Sequence, residues 1–199
     1  EAVTFPSISY LGFPLSVSET FQLRNTNKTI AASIEEVKAI QSLCVAHGKE
    51  LVVYLSMGFG NPYGDPYDTE YILQIVQQLV GMGIRTISLA DTVGVAAPSI
   101  IAYLFDALIP AFKEVRFGAH FHSSWERAEE KIAIALAHGC HYFDSAMKGI
   151  GGCPMANDDL VGNIASEQLL AYLQKNNSPM QINETALQEA LNTAQQIFV

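Results

Sequence analysis

Residues 86–109 read TISLADTVGVAAPSIIAYLFDALI, and the parsing of this stretch decides the fold. Thr86 to Ala90 form a short apolar run with β-branched residues, the pattern of a strand covered on both faces. The next segment, DTVGVAA, reads as a loop, and Pro98 suits a first helical position, where its missing N–H is not needed. Ile101, Leu104 and Leu108 then mark one apolar stripe at helical spacing. Strand, loop and helix follow one another in that order.

The unit recurs on both sides. Upstream, Ser33 and Glu36 have the spacing of a capping box and predict a helix start, with Ile34, Val37, Ile40, Leu43 and Cys44 apolar and Gly48 as the stop. LVVYLS (51–56) predicts a strand, GFGNPYGDP a loop, and a helix from near Asp68 carries Ile72, Ile75, Val76, Leu79 and Val80 as far as Gly83. Downstream, RFGAHFH (116–122) predicts a strand, residues 124–138 a helix, HYFDSA (141–146) a strand and residues 163–174 a helix. A closing helix starts at Asn183, a good N-cap. The opening VTFPSIS (3–9) is expected to add a further strand, giving five.

Such alternation implies a parallel sheet built from right-handed crossovers. A doubly wound sheet and a barrel both satisfy it. The dinucleotide fingerprint G-x-G-x-x-G is absent. Polar residues gather instead after several strands: Ser56 and Asn61, then Asp91, His120 with His122, and Asp144 with Cys153. Groups converging from many strand ends are a property of the C-terminal face of a barrel. The expected class is therefore α/β, a (β/α)8 TIM barrel with only about the last five βα units in this chain. Residues 1–182 are read as the C-terminal part of the barrel domain and 183–199 as a helix packed on it.

Composition narrows the function. The chain has 199 residues, 49% hydrophobic, with net charge −9 and no cluster of Lys or Arg. That excludes a general phosphate-binding surface, so no nucleic-acid partner is expected. No apolar run reaches the ~20 residues of a membrane span, and no membrane partner is expected. The first residues lack the basic start and apolar core of a signal peptide. Three cysteines without framework spacing point to a reducing compartment, read as the cytoplasm, with a mitochondrial matrix location compatible.

His120 and His122 flank Phe121 at a strand end, so both imidazoles leave one face of the sheet. They read either as half-buried histidines bonded to backbone or as two ligands of one cation. Asn163, before IASEQLL, reads as an N-cap or as a carbonyl ligand for a hard cation such as Mg2+ or Mn2+. Asp91 reads as a turn-former or as a general base. Cys44 and Cys140 read as packed small hydrophobes. Cys153 follows Gly149, Gly151 and Gly152, which permit close backbone approaches, and reads either as part of a glycine turn or as a reactive thiol.

Together these segments resemble the 3-hydroxy-3-methylglutaryl-CoA lyase family. The resemblance rests on GIGGCP (149–154), HFH (120–122), ISLADTVGV (87–95), GNIASEQLLAYL (162–173) and FGNPYGD (59–65). It departs at Ser123 and Ser124, where the family usually has Asp-Thr, and at Asn61, a place often held by cysteine. The resemblance implies a divalent cation, Mg2+ or Mn2+, held by His120, His122, Asn163 and an aspartate upstream of this chain. It implies Cys153, His120 and Asp91 as catalytic residues, with Cys153 on a mobile loop. It further implies cleavage of 3-hydroxy-3-methylglutaryl-CoA, or a close acyl-CoA, to acetyl-CoA and acetoacetate by a homodimer. A Claisen-type synthase of the same superfamily and a non-catalytic part of the barrel stand as alternatives.

Overall fold

Five parallel strands form one sheet in the order β1-β2-β3-β4-β5, each beside its neighbour in sequence. They are β1 (Tyr10–Ser16), β2 (Glu50–Ser56), β3 (Thr86–Asp91), β4 (Arg116–Phe121) and β5 (Tyr142–Phe143). The computed structural model describes residues 1–152, 161–178 and 180–198. The strand order decides between the two architectures. A doubly wound sheet reverses direction at a switch point and carries helices on both faces. Here the order never reverses, so right-handed crossovers put every connecting helix on the same side, as in the wall of a barrel.

Burial along the strands agrees. Leu51, Val53 and Leu55 of β2 are fully buried, as are Ile87 and Leu89 of β3 and Ala119 and Phe121 of β4. They form one core with Val37 of α2 (Ile30–Ala46), Ile72 and Leu79 of α3 (Thr69–Gly81), Leu104 and Leu108 of α4 (Pro98–Ala111) and Ile132 of α5 (Trp125–Ala137). The intervening residues Val52, Tyr54 and His120 turn to the other, concave face and are less buried.

Most predicted elements fall where the periodicity put them. Pro98 is the first residue of α4, Asp68 caps α3 by accepting from the Glu70 N–H, and Asn183 caps α7 (Glu184–Ile197) by accepting from the Ala186 N–H. The first strand differs. VTFPSIS holds a short 3-10 turn at Ala2–Thr4, and the strand is YLGFPLS, Tyr10–Ser16. Gly12 and Pro14 disguise it, because both residue types usually interrupt strands, yet β1 pairs in parallel register with β2 from Tyr10 to Ser16. A short helix, α1 (Glu19–Thr26), follows and has no counterpart in the sequence reading.

The capping box is also corrected. α2 begins four residues early, capped by Thr29, whose Oγ1 accepts from the Ala32 N–H at 3.1 Å. Ser33 lies inside the helix, and its buried hydroxyl has no hydrogen-bond partner among the described residues. Ile-Ala-Ala before Ser33 is good helical sequence, so the earlier cap gains a turn of backbone bonds. Thr29→Ala should therefore cost about 1 kcal/mol of stability. Ser33→Ala should be neutral or stabilising, because it removes an unpaired buried hydroxyl. Chemical denaturation of the two variants checks this; a larger loss for Ser33→Ala would restore the capping box.

Candidate active site

β4 carries His120 and leads directly into His122, and its alternation fixes the direction of both. Phe117, Ala119 and Phe121 are buried against the helices, so His120 and His122 project from the concave face. Beneath them the Phe121 ring meets Phe59 with centroids 5.4 Å apart. The rings of His120 and His122 stand 5.3 Å apart, centroid to centroid. Both line a cavity of about 400 Å³ with Pro14, Tyr54, Ser56 and Asn163.

The hydrogen bonds set each tautomer. His122 Nδ1 lies 2.7 Å from the Thr92 carbonyl, which can only accept, so Nδ1 carries the proton and Nε2 keeps a lone pair. Thr92 is itself held, its hydroxyl oxygen accepting from the Met57 N–H at 2.9 Å. Burial lowers the His122 pKa, with the bond to Thr92 opposing, so the ring is held towards its neutral, ligand-competent form. His120 is about a third exposed, and its Nδ1 faces Asp144 Oδ2 at 3.3 Å. The same carboxylate oxygen accepts from the Ser88 hydroxyl at 3.0 Å. A proton on His120 Nδ1 again leaves Nε2 basic, and Tyr54 meets this ring edge-on at 5.7 Å.

Asn163 is not a helix cap. α6 (Ser166–Lys175) starts three residues later, with Ala165 at its N-cap. Asn163 instead forms a β-bridge with His122, which brings its side chain to the same cavity. Its Nδ2 donates to the Ile150 carbonyl at 3.0 Å, leaving Oδ1 as an acceptor within reach of the His122 ring. The glycines explain how the chain wraps so closely. Gly149 has φ +65°, and a Cβ there would lie 2.7 Å from the Asn163 carbonyl oxygen. Gly151 has φ +93°, and its Cβ would lie 3.0 Å from Asn163 Nδ2. Cys153 lies outside the described residues.

Asp91 is placed differently. It shares the alternation of Ile87 and Leu89 and pairs in register with Phe121, so its side chain enters the helix layer. Its carboxylate is fully buried. Oδ2 lies 2.5 Å from Lys131 Nζ on α5, and Oδ1 accepts from the Ala96 N–H at 3.0 Å. Asn61 is likewise engaged locally, accepting from Tyr63 and Asp65 N–H groups and donating to the Asp65 carbonyl. The rim therefore collects Ser56, His120, His122, Asn163 and, through His120, Asp144, but neither Asp91 nor Asn61.

The sequence reading also passed over Tyr54, Ser88 and Lys131. Tyr54 and Ser88 had a signal, since each alternates with strand residues destined for the core. Lys131 had one too: it stands in the apolar stripe Ala128, Ile132, Ala135 of α5.

Two imidazoles with fixed tautomers and one amide oxygen on one cavity fit a divalent cation that accepts mixed N and O donors. Among the described residues no three His, Cys, Asp or Glu side chains gather as a metal-holding group, so the set is two imidazoles plus the amide.

The sequence profile of the HMGL-like family matches residues 10–194. The 3-hydroxy-3-isohexenylglutaryl-CoA/hydroxy-methylglutaryl-CoA lyase of Pseudomonas aeruginosa is 32% identical over 158 residues, 79% of this chain and 52% of that protein. The chain thus spans about half the length of that curated relative. The crystal structure of hydroxymethylglutaryl-CoA lyase from Pseudomonas aeruginosa superposes with a TM-score of 0.89 at 27% identity, covering 100% of this chain and 66% of that one. An HMG-CoA lyase from Acinetobacter baumannii, in complex with coenzyme A and 3-methylmalate, superposes with a TM-score of 0.81 at 26% identity, covering 90% and 58%. The five-stranded arc is accordingly part of a TIM barrel of that kind.

Proposed function

The chain belongs to the HMGL-like family, and from this we propose that it contributes the metal-bearing half of a carbon–carbon lyase. The substrate proposed is 3-hydroxy-3-methylglutaryl-CoA or a close 3-hydroxyacyl-CoA, cleaved to acetyl-CoA and, for the 3-methyl-substituted thioester, acetoacetate. The observation that carries this reading is the convergence of His120, His122 and Asn163 on one cavity. These three are proposed to hold Mg2+ or Mn2+, which when bound supplies Lewis acidity at the substrate's tertiary hydroxyl.

Cleavage requires a base at that hydroxyl. His120 is the group proposed: its Nε2 is basic, and Asp144 on Nδ1 stabilises the imidazolium formed when the proton arrives. His120 is thus proposed both as a residue that would hold the cation and as the group that takes the hydroxyl proton. Asp91 serves the site through position, because both of its oxygens are already bonded. Cys153 is proposed as proton donor to the departing carbon. A homodimer is the proposed assembly.

The test is acetyl-CoA release by the intact protein with Mg2+ or Mn2+, using esters with the methyl and isohexenyl side chains named in the relatives. Release from at least one ester is expected; no release from either, with either metal, would sink the lyase reading. Replacing Cys153 with Ala should lower turnover by about 10²–10⁴-fold, the usual weight of a general acid, while bound metal stays unchanged. Unimpaired turnover would remove the thiol from the mechanism. The Claisen-type alternative is tested in parallel by acyl transfer from acetyl-CoA to 2-oxo acids.

A further inference from the structure

Lys131 is 1% exposed, in a helix stripe otherwise made of Ala and Ile, and its ammonium meets three acceptors. Nζ donates to Asp91 Oδ2 at 2.5 Å, to the His122 carbonyl at 2.9 Å and to the Gly94 carbonyl at 3.1 Å. Three donors and three acceptors match, so the protonated amine has no bond left over.

We infer that Lys131 is a positioning residue that sets the direction of the His122 imidazole by fixing the backbone that carries the ring and the loop that accepts from it. The inference rests on His122 being a cation ligand as proposed above. Two connections lead from the ammonium to the ring. The first is direct: Lys131 holds the His122 carbonyl, while the Asp91 carbonyl accepts from the His122 N–H at 3.3 Å. The second runs through the loop after β3. Lys131 grips Asp91 by its carboxylate and Gly94 by its carbonyl, and between them lies Thr92, whose carbonyl accepts from His122 Nδ1. One ammonium thus sets both ends of the bond that decides where Nε2 points. An apolar side chain of equal length would fill the volume but leave a carboxylate and two carbonyls without their donor.

A lysine serving stability alone would affect melting but not the ring. The experiment is histidine ¹⁵N NMR on the metal-free intact protein, followed by titration with Mn2+. The variants are Lys131→Gln and the neutral pair Lys131→Gln/Asp91→Asn, with Leu108→Ala as a core-destabilised control. The wild type should show a slowly exchanging His122 Nδ1–H. In both Lys131 variants that signal should disappear or average, and the Mn2+ Kd should rise about 10–100-fold, as when a bond orienting a metal ligand is removed. Leu108→Ala should change neither. If Lys131→Gln fails to fold, the neutral pair, which leaves no unpaired charge, gives the reading. A wild-type Nδ1–H signal in the folded variants overturns the inference. Absence of Mn2+ binding by the wild type would instead overturn the metal reading, and the imidazole signal would still decide the role of Lys131.

Discussion

Replacing His122 with alanine should abolish Mn2+ binding and lower acetyl-CoA release about a thousandfold, while the fold survives. The magnitude follows from the chemistry assigned to the site. A bound cation that stabilises developing charge at the hydroxyl is worth several kcal/mol, and about 4 kcal/mol corresponds to a factor near 10³. His122 is the donor whose loss the site can least replace. Its tautomer is fixed by Thr92, its burial favours the neutral ring, and its bridge to Asn163 brings the third donor into place. Stability should fall far less, by about 1–3 kcal/mol, because the main structural loss is the donor to one buried carbonyl. His141→Ala, on the exposed segment before β5, is the control and should bind Mn2+ with unchanged affinity. Isothermal titration with Mn2+ and a coupled acetyl-CoA assay read the two quantities separately. Retained binding in the alanine variant would remove His122 from the ligand set.

Alternation and punctuation made most of the wall legible. Apolar runs at 51–56, 86–90 and 116–122 became β2, β3 and β4, and helices began at Asp68 and Pro98 because each residue has a local reason to start one. The early part of the chain was harder for identifiable reasons. β1 contains the two residues that usually end strands, Gly12 and Pro14, so its pairing with β2 leaves little local signal. α1 buries little beyond Phe21 and Gln22, so its periodicity is faint. At α2 two cap-like residues lie one turn apart, and sequence alone cannot weigh the extra turn gained by starting at Thr29. The site divides in the same way. His120 and His122 were legible because a period of two settles their common face. Asn163 was legible only as a choice between helix cap and ligand, since its pairing with His122 spans a long stretch of chain and depends on glycines yielding to its backbone. Asp91 shows a signal present but unused: it keeps step with Ile87 and Leu89, and that parity points into the helix layer.

Asp91→Ala should be among the most destabilising single changes in the chain, at about 3–5 kcal/mol, since it leaves the Lys131 ammonium buried with no counter-charge. For a chain of this size that corresponds to a melting temperature lower by on the order of 10 °C. The loss belongs to the unpaired partner more than to the pair itself. Adding Lys131→Met to Asp91→Ala should therefore recover a large part of the stability, although two backbone carbonyls and the Ala96 N–H still lack partners. The coupling energy from the double-mutant cycle should reach the upper part of the usual 0.5–3 kcal/mol range for residues in contact. Denaturant melts of the four proteins measure it directly. Additive losses would mean that water or another group already compensates the ammonium, and the bond at 2.5 Å would lose its claim to hold the loop. Strong coupling would instead show that the β3–α4 loop is fastened from the helix layer, the side of the wall that faces away from the cavity. The histidines could then stay open to substrate while the charges that orient them stay dry, where their bonds are least weakened by solvent.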